Sequence, residues 1–461
     1  MSSQLYLDHY LNSGYVPVTN QPRLVYMLLE VRPGETLPTI PVPVNLSIVV
    51  DKSESMCIPI LTDEQFEELA RMGSVREVMA DGIPVWRFEN VPPGFTESCP
   101  RNIDFVKSAL RSALEQLSPN DRFALVAFAG KAITLVPNQS GTNKRRLLEA
   151  IDQLDDVQLG DDTYMAKGMG LGYEEVQRGS SPSMVNRLIV LTDGFTMDAP
   201  QCEDLARQAA EAGIRVSTMG LGVEFNEELL ISIADNSGGH AYLIHEAQDI
   251  PQAFAQELEG MQSIALCKLE IKMRLASGVE LRRAHKVKPV IYDLGPVPVY
   301  DRSVNIPLGD LEKDAPPAVL LELIVPPRPA GSYRLAHTVL AYDSPAQNLM
   351  GEKVRGDIVV QYTDDPRLCQ QQKPRVMNLV ETVSAFKLQT RALREAEMGD
   401  IGSATRKLRA AATRLLNMGE DDLADAALQE ADRLEKEGKM SPAATKKLRY
   451  ETRKLTQKLE D

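Results

Sequence analysis

A carboxylate and two hydroxyls occupy alternate positions in Asp51-Lys52-Ser53-Glu54-Ser55, directly after the largely apolar run Val44-Asn45-Leu46-Ser47-Ile48-Val49-Val50. A short apolar run that ends in polar residues reads as a buried strand, so a tight loop presents the three side chains together at its carboxyl end. A second such run, Leu188-Ile189-Val190-Leu191, ends in Thr192-Asp193-Gly194, and Gly160-Asp161-Asp162-Thr163 opens a helical pattern between the two. In an open parallel sheet, ligands collect outside the carboxyl ends of the strands, where the strand order reverses. The donors are all oxygens, which is the chemistry of a hard cation. Neutral hydroxyls with water-bridged carboxylates suit Mg²⁺, which keeps several waters in octahedral geometry; Mn²⁺ and Ca²⁺ are the alternatives. Taken singly, each segment is weak evidence, and the first motif alone reads equally well as ordinary helix-capping and turn residues. Three of them in order, at two strand ends and a helix start, favour a metal site.

This arrangement resembles the von Willebrand factor A domain with its metal-ion-dependent adhesion site, whose pattern is Asp-x-Ser-x-Ser, then a distant Thr, then a distant Asp. The resemblance implies that Ser53, Ser55 and Thr163 touch the metal through hydroxyls while Asp51 and Asp193 hold its waters. It also implies that an Asp or Glu of a protein partner fills the remaining position, drawn by a cation that neutral ligands leave under-neutralised. Glu54 stands where the family usually has Gly, Lys52 fills another variable slot, and Asp161-Asp162 replace the common Gly-Gly before the Thr. The added carboxylates tighten cation binding and repel an acidic partner. The longest departure is an insertion over residues 57–102, ahead of the helix that begins near Asp104. It contains a helical pattern from Asp63 to Leu69, then Val85-Trp86-Arg87-Phe88 and Pro92-Pro93-Gly94. Loops at this end of the sheet border the ligand, so the insertion is expected to roof the metal and to shape or gate the partner surface.

The elements that position these residues fall into three zones. Residues 45–264 alternate helix and strand: a helix from Asp104 to Leu117, a strand over Arg122 to Phe128, helices over Asn143 to Leu154 and Thr163 to Gln177, then the strand before Asp193. A helix over Gln201 to Ala212, a strand at Ile214 to Met219, a helix near Asn226 to Asp235, a strand ending at Ile244 and a helix to Met261 complete it. Such alternation builds an α/β fold, a doubly wound, Rossmann-like sheet with helices on both faces, as the resemblance also implies. Residues 17–44 and 265–365 carry short strands punctuated by Pro, Gly and Asp, among them Arg23 to Val31, Lys268 to Met273 and Val319 to Val325. They read as one all-β sandwich into which the metal-site domain is inserted. Residues 374–461 are helical, with apolar stripes at Val376, Leu379, Val380, Val383 and Phe386 and at Ala404, Leu408, Ala411 and Leu415. Ser441-Pro442 is a helix start, and a C-terminal bundle of four helices is expected. The three zones together resemble bacterial von Willebrand A proteins of the cytosolic kind.

Composition bounds the function. A chain of 461 residues is long enough for about three domains. No apolar run approaches the roughly 18 residues of a membrane span, and the start Met1-Ser2-Ser3-Gln4 lacks a signal-peptide core, so a cytoplasmic protein without membrane contact is expected. The five cysteines show no metal-ligand spacing and read as reduced thiols, although Cys57 and Cys99 bracket the insertion and could lie close together. The net charge is −14, yet the chain from Lys373 onward holds 18 Lys and Arg against 15 Asp and Glu, so the acidity lies in the preceding part. An acidic body argues against nucleic acid as partner. No Gly-x-x-x-x-Gly-Lys loop is present, His240 and His245 lack ligand-spaced neighbours, and Ser53 and Ser55 lack a His base nearby in sequence. The expected function is a non-enzymatic protein-interaction or scaffold module that binds an acidic side chain through Mg²⁺. A metal-dependent hydrolase using Asp51, Asp193 and one of the extra carboxylates is the alternative, and an adaptor for a separate AAA-class ATPase falls within the binding reading.

Overall fold

The structure, a computed structural model, describes residues 4–35, 37, 42–80, 83–160, 162–181, 183–222, 225–313 and 315–457. The chain divides into two compact units, Pro43–Ser181 with Asn186–Glu259, and Met1–Val42 with Pro182–Val185 and Gly260–Asp461.

The first unit is built on a six-stranded sheet in the order Ala241–Ile244, Arg215–Leu221, Val185–Thr192, Val44–Asp51, Arg122–Phe128, Ala132–Ser140. All eight residues of Val44–Asp51 are buried, because helices cover both faces of a parallel sheet, and this is why the strand reads as an apolar run rather than an alternation. Val44–Asp51 runs parallel to Arg122–Phe128, and Arg215–Leu221 runs parallel to both its neighbours. The chain's first strand of this sheet therefore lies in the middle, and the order reverses between it and Val185–Thr192. The edge strand Ala132–Ser140, antiparallel to its neighbour, has no counterpart in the sequence analysis. Its polar end, Pro137-Asn138-Gln139-Ser140, resembles a loop, and only an edge position tolerates such a composition.

The helix Met165–Gly179 lies close on this sheet because Gly168 and Gly172 offer no side chain at the contact. A Cβ at Gly172 would stand 2.5 Å from Val49 Cγ2 and 2.6 Å from Leu188 Cδ1. On the far side, Glu257 of the helix Ile250–Gln262 is buried beneath the strands and accepts from Ser217 Oγ (2.6 Å) and Tyr242 OH (2.8 Å), with His240 Nδ1 3.1 Å away. Burial alone would raise its pKa; His240, Arg187 and Ser217 outweigh this and hold it down at about 2. His240 is thus part of a structural network.

In the second unit, a five-stranded and a six-stranded sheet share one core, in which Met27, Leu29, Val319 and Leu321 of one sheet meet Ile271, Met273, Ile306 and Leu340 of the other. This is the sandwich, and it takes in Leu5–Leu11, which pairs antiparallel with Arg23–Pro33 ahead of the expected start at residue 17. The opposite face of the five-stranded sheet, through Leu28, Val287 and Leu320, packs on Val376, Leu379, Val380, Val383 and Phe386 of the helical segment. The helices are Pro374–Glu397, Ile401–Asn417, Asp421–Glu437 and Pro442–Arg453, the last capped by Ser441. Sandwich and helices thereby form one unit where the sequence pattern alone separates them. Among the described residues no helix is long and apolar enough to cross a membrane.

Ala is the better helix former by about 1 kcal/mol, yet overpacking a core costs about 1–3 kcal/mol, so Gly172→Ala is expected to lower stability by about 1 kcal/mol. Urea unfolding of the variant tests this; a rise in the midpoint would mean that the helix is not seated on Val49 and Leu188 as described.

Candidate metal centre

Asp51 ends its strand and Asp193 directly follows the adjacent strand Val185–Thr192, so the two carboxylates meet where the strand order reverses. The loop after Asp51 turns back at once: Ser53 N–H donates to Asp51 Oδ1 at 2.8 Å, and residues Glu54–Cys57 form a single 3₁₀ turn. That turn brings the Ser53 and Ser55 hydroxyls to 3.0 Å from each other, and Ser55 Oγ donates to Asp193 Oδ1 at 2.6 Å. Four of the five expected residues therefore belong to one hydrogen-bonded cluster. Thr163 stands on the third loop, just ahead of the helix Met165–Gly179. Its carbonyl accepts from Met197 N–H at 3.0 Å and from Thr196 Oγ1 at 3.1 Å, which ties its loop to the one that follows Asp193. Asp161 and the side chain of Trp86 lie outside the described residues.

Four further residues, absent from the motif, hold this arrangement. Thr192 Oγ1 donates to Asp51 Oδ2 at 2.6 Å, and Asn102 Nδ2 donates to Asp193 Oδ2 at 3.2 Å. Asp198 accepts from Ala166 N–H and from Thr196 Oγ1, and Thr196 Oγ1 in turn accepts from Met165 N–H at 2.9 Å, so both cap the helix that follows Thr163. Thr192 and Asp198 flank the second motif by one and five positions, but Ser, Thr, Asn and Asp are common enough at strand ends that spacing alone does not single them out. The insertion reaches the site through its last residue, Asn102, and its two ends run side by side, with Ile60 N–H donating to Pro100 O at 2.8 Å. All five cysteines are free thiols, and Lys52 turns its ammonium to Cys57 Sγ, 2.9 Å away.

The electrostatics favour added positive charge here, whether a proton or a cation. Asp51 is fully buried and Asp193 is 8% exposed, and among the described residues no Lys, Arg or His pairs with either. Burial raises the Asp51 pKa against the bonds from Ser53 and Thr192. Burial and the neighbouring Asp51 push Asp193 up to about 6. Two desolvated like charges without a counter-ion are costly. The donor set fits Mg²⁺ in shape as well: ligands at 2.0–2.1 Å and right angles are about 2.9 Å apart, close to the 3.0 Å between the two serine hydroxyls.

Residues 96–256 match the von Willebrand factor type A domain family, and residues 374–458 match the Sll0103-like, C-terminal alpha-helical domain. The chain is 25% identical over 286 residues to the uncharacterized protein sll0103 of Synechocystis sp., covering 60% of this chain and 67% of that protein. To the uncharacterized protein YfbK of Escherichia coli it is 30% identical over 156 residues, 32% of this chain and 27% of that one. To a UPF0353 protein of Mycolicibacterium gilvum it is 28% identical over 212 residues, 40% of this chain and 62% of that one. The matches thus span between about a quarter and two thirds of these relatives' lengths. Two solved structures share the fold along nearly the whole chain. The von Willebrand factor type A protein from Catenulispora acidiphila has a TM-score of 0.73 at 15% identity, covering 98% of this chain and 97% of its own. The ArnB paralog VWA2 from Sulfolobus acidocaldarius has a TM-score of 0.57 at 15% identity, with all of both chains covered.

Removing one of two buried like charges relieves the chelated protein, so Asp193→Asn is expected to melt at or above the wild-type temperature in EDTA while losing the stabilisation that Mg²⁺ gives the wild type. Differential scanning calorimetry with and without Mg²⁺ reads both effects, and a variant still stabilised by Mg²⁺ would count against this centre. The chain thus carries a von Willebrand factor type A domain, matched over residues 96–256, and an Sll0103-like C-terminal helical domain, matched over residues 374–458.

Proposed function

We propose that this chain is a protein-interaction module that holds one Mg²⁺ between Asp51, Ser53, Ser55, Thr163 and Asp193 and offers its open position to an Asp or Glu of a protein partner. The observation that supports it is the pair of buried, uncompensated carboxylates joined to two serine hydroxyls at the reversal of the strand order. The cation supplies the positive charge that attracts an incoming carboxylate. The protein supplies order: Thr192 and the Ser53 amide fix both oxygens of Asp51, Asn102 and Ser55 fix those of Asp193, and Ser55 is the exposed edge of the cluster. Groups held this way have little freedom left to lose on binding, which favours affinity. We place the interaction in the cytosol, and an adaptor role beside a separate AAA-class ATPase is one form of it.

Titration calorimetry on the full chain is expected to show uptake of one Mg²⁺, weakened at least about tenfold, or about 1.4 kcal/mol, by Asp51→Ala or Asp193→Ala. Absence of uptake by the wild type would refute the metal reading. A cross-linked partner should be recovered in Mg²⁺ and lost both in EDTA and with Asp193→Ala. The insertion can be tested separately, because its ends are adjacent: replacing residues 61–99 by a short Gly-Ser turn should leave Mg²⁺ uptake intact and change partner affinity. Unchanged partner affinity would retire the insertion as part of the binding surface.

A further inference from the structure

A cavity of about 740 Å³ opens among the Pro374–Glu397 helix, the Ile401–Asn417 helix and the Glu280–Lys288 strand. This lies within the size range of small-molecule sites. Lys387, Arg391 and Arg394 line it at i, i+4 and i+7 of the first helix, with Met398 ending the row, so one helix face presents all four. Lys407 and Arg414 line it from the second helix, and Arg283 and Asp293 from the sheet. Six cations thus stand against two lining carboxylates, Asp293 and Glu395, in a chain whose net charge is −14.

Like charges at i, i+4 on a helix repel, and neighbouring acids offset part of this. Glu322 holds Lys387 at 2.8 Å, Glu395 holds Arg391 at 3.1 Å together with Lys407, and Glu381 holds Arg414. Lys407, Ser403 and Arg391 keep the Glu395 pKa down at about 2. Arg394 differs: it is exposed and has no side-chain partner among the described residues. Beneath the groove, His285 is fully buried with neither ring nitrogen hydrogen-bonded, its Nε2 3.8 Å from Asp293 Oδ2. Apolar surface completes the lining through Phe386, Leu388 and Met398, the last of which is 75% exposed.

We propose that this groove binds an organic phosphate of nucleotide size, with phosphoryl oxygens on Arg391, Arg394 and Lys407 and a flat apolar portion against Leu388 and Met398. Guanidinium forks match phosphate oxygens two at a time, and planar guanidinium groups also stack on flat rings. The groove has no phosphate-cradling glycine loop, so its phosphate contacts would come from side chains. This site is independent of the metal centre.

Titration calorimetry with ADP on the full chain, in EDTA so that no cation bridges ADP to Asp51 and Asp193, tests it. One ADP per chain is expected, bound at least about tenfold tighter than pyrophosphate, with Arg394→Glu weakening ADP by at least about tenfold and Arg394→Lys largely preserving it. Because Arg394 is exposed and unpaired, both variants should melt as the wild type does, which separates lost binding from lost fold. No detectable ADP binding, equal affinity for ADP and pyrophosphate, or an Arg394→Glu chain that binds ADP as the wild type does would overturn the proposal.

Discussion

Two carboxylates buried at the ends of neighbouring strands, with no Lys, Arg or His paired to either among the described residues, constrain the unit that carries them. Desolvation and mutual repulsion both oppose ionisation of Asp193, and the fold meets this with directed hydrogen bonds rather than with an ion pair. Every donor involved is neutral: the Ser53 amide, Ser55, Thr192 and Asn102. An Arg or Lys in their place would stabilise the empty site and compete with a divalent ion. Lys52 shows the avoidance directly, since it neighbours Asp51 in sequence and yet bonds to Cys57.

The parts that were legible in the sequence share one property: their chemistry is local. Asp51, Ser53 and Ser55 sit on one loop, and a strand buried on both faces writes itself as an unbroken apolar run, as Val44–Asp51 and Val185–Thr192 do. The helices behave likewise, because Val376, Leu379, Val380 and Val383 repeat at helical spacing and all are buried. What escaped depends on residues far apart in the chain. Asn102 becomes a partner of Asp193 only when the insertion closes on itself, and the edge strand Ala132–Ser140 is specified by its neighbour rather than by its own composition. The cationic groove is the extreme case, drawing Arg283, Lys387 and Arg414 from distant segments. Most of those charges are paired on the surface; it is their placement around one cavity that distinguishes them.

The carboxylates around the metal centre also bear on how a partner would be chosen. Glu54 and Asp162 are exposed on two of the three loops, where the family pattern usually has glycine. With Asp51 and Asp193 they give the unloaded site a strongly negative field, felt over about 8–10 Å at physiological salt. An acidic partner is repelled by that field, and a divalent ion cancels only part of it. In the proposed function, the direct contact between the ion and the incoming carboxylate would have to outweigh the remaining repulsion. Glycines at those positions would leave a partner some affinity for the unloaded site. Under the proposed function, Glu54 and Asp162 would lower that residual affinity, making recognition steeper in the cation at the expense of absolute strength. Such an acidic rim would select for a partner whose carboxylate reaches the ion itself and against one that merely carries negative charge nearby.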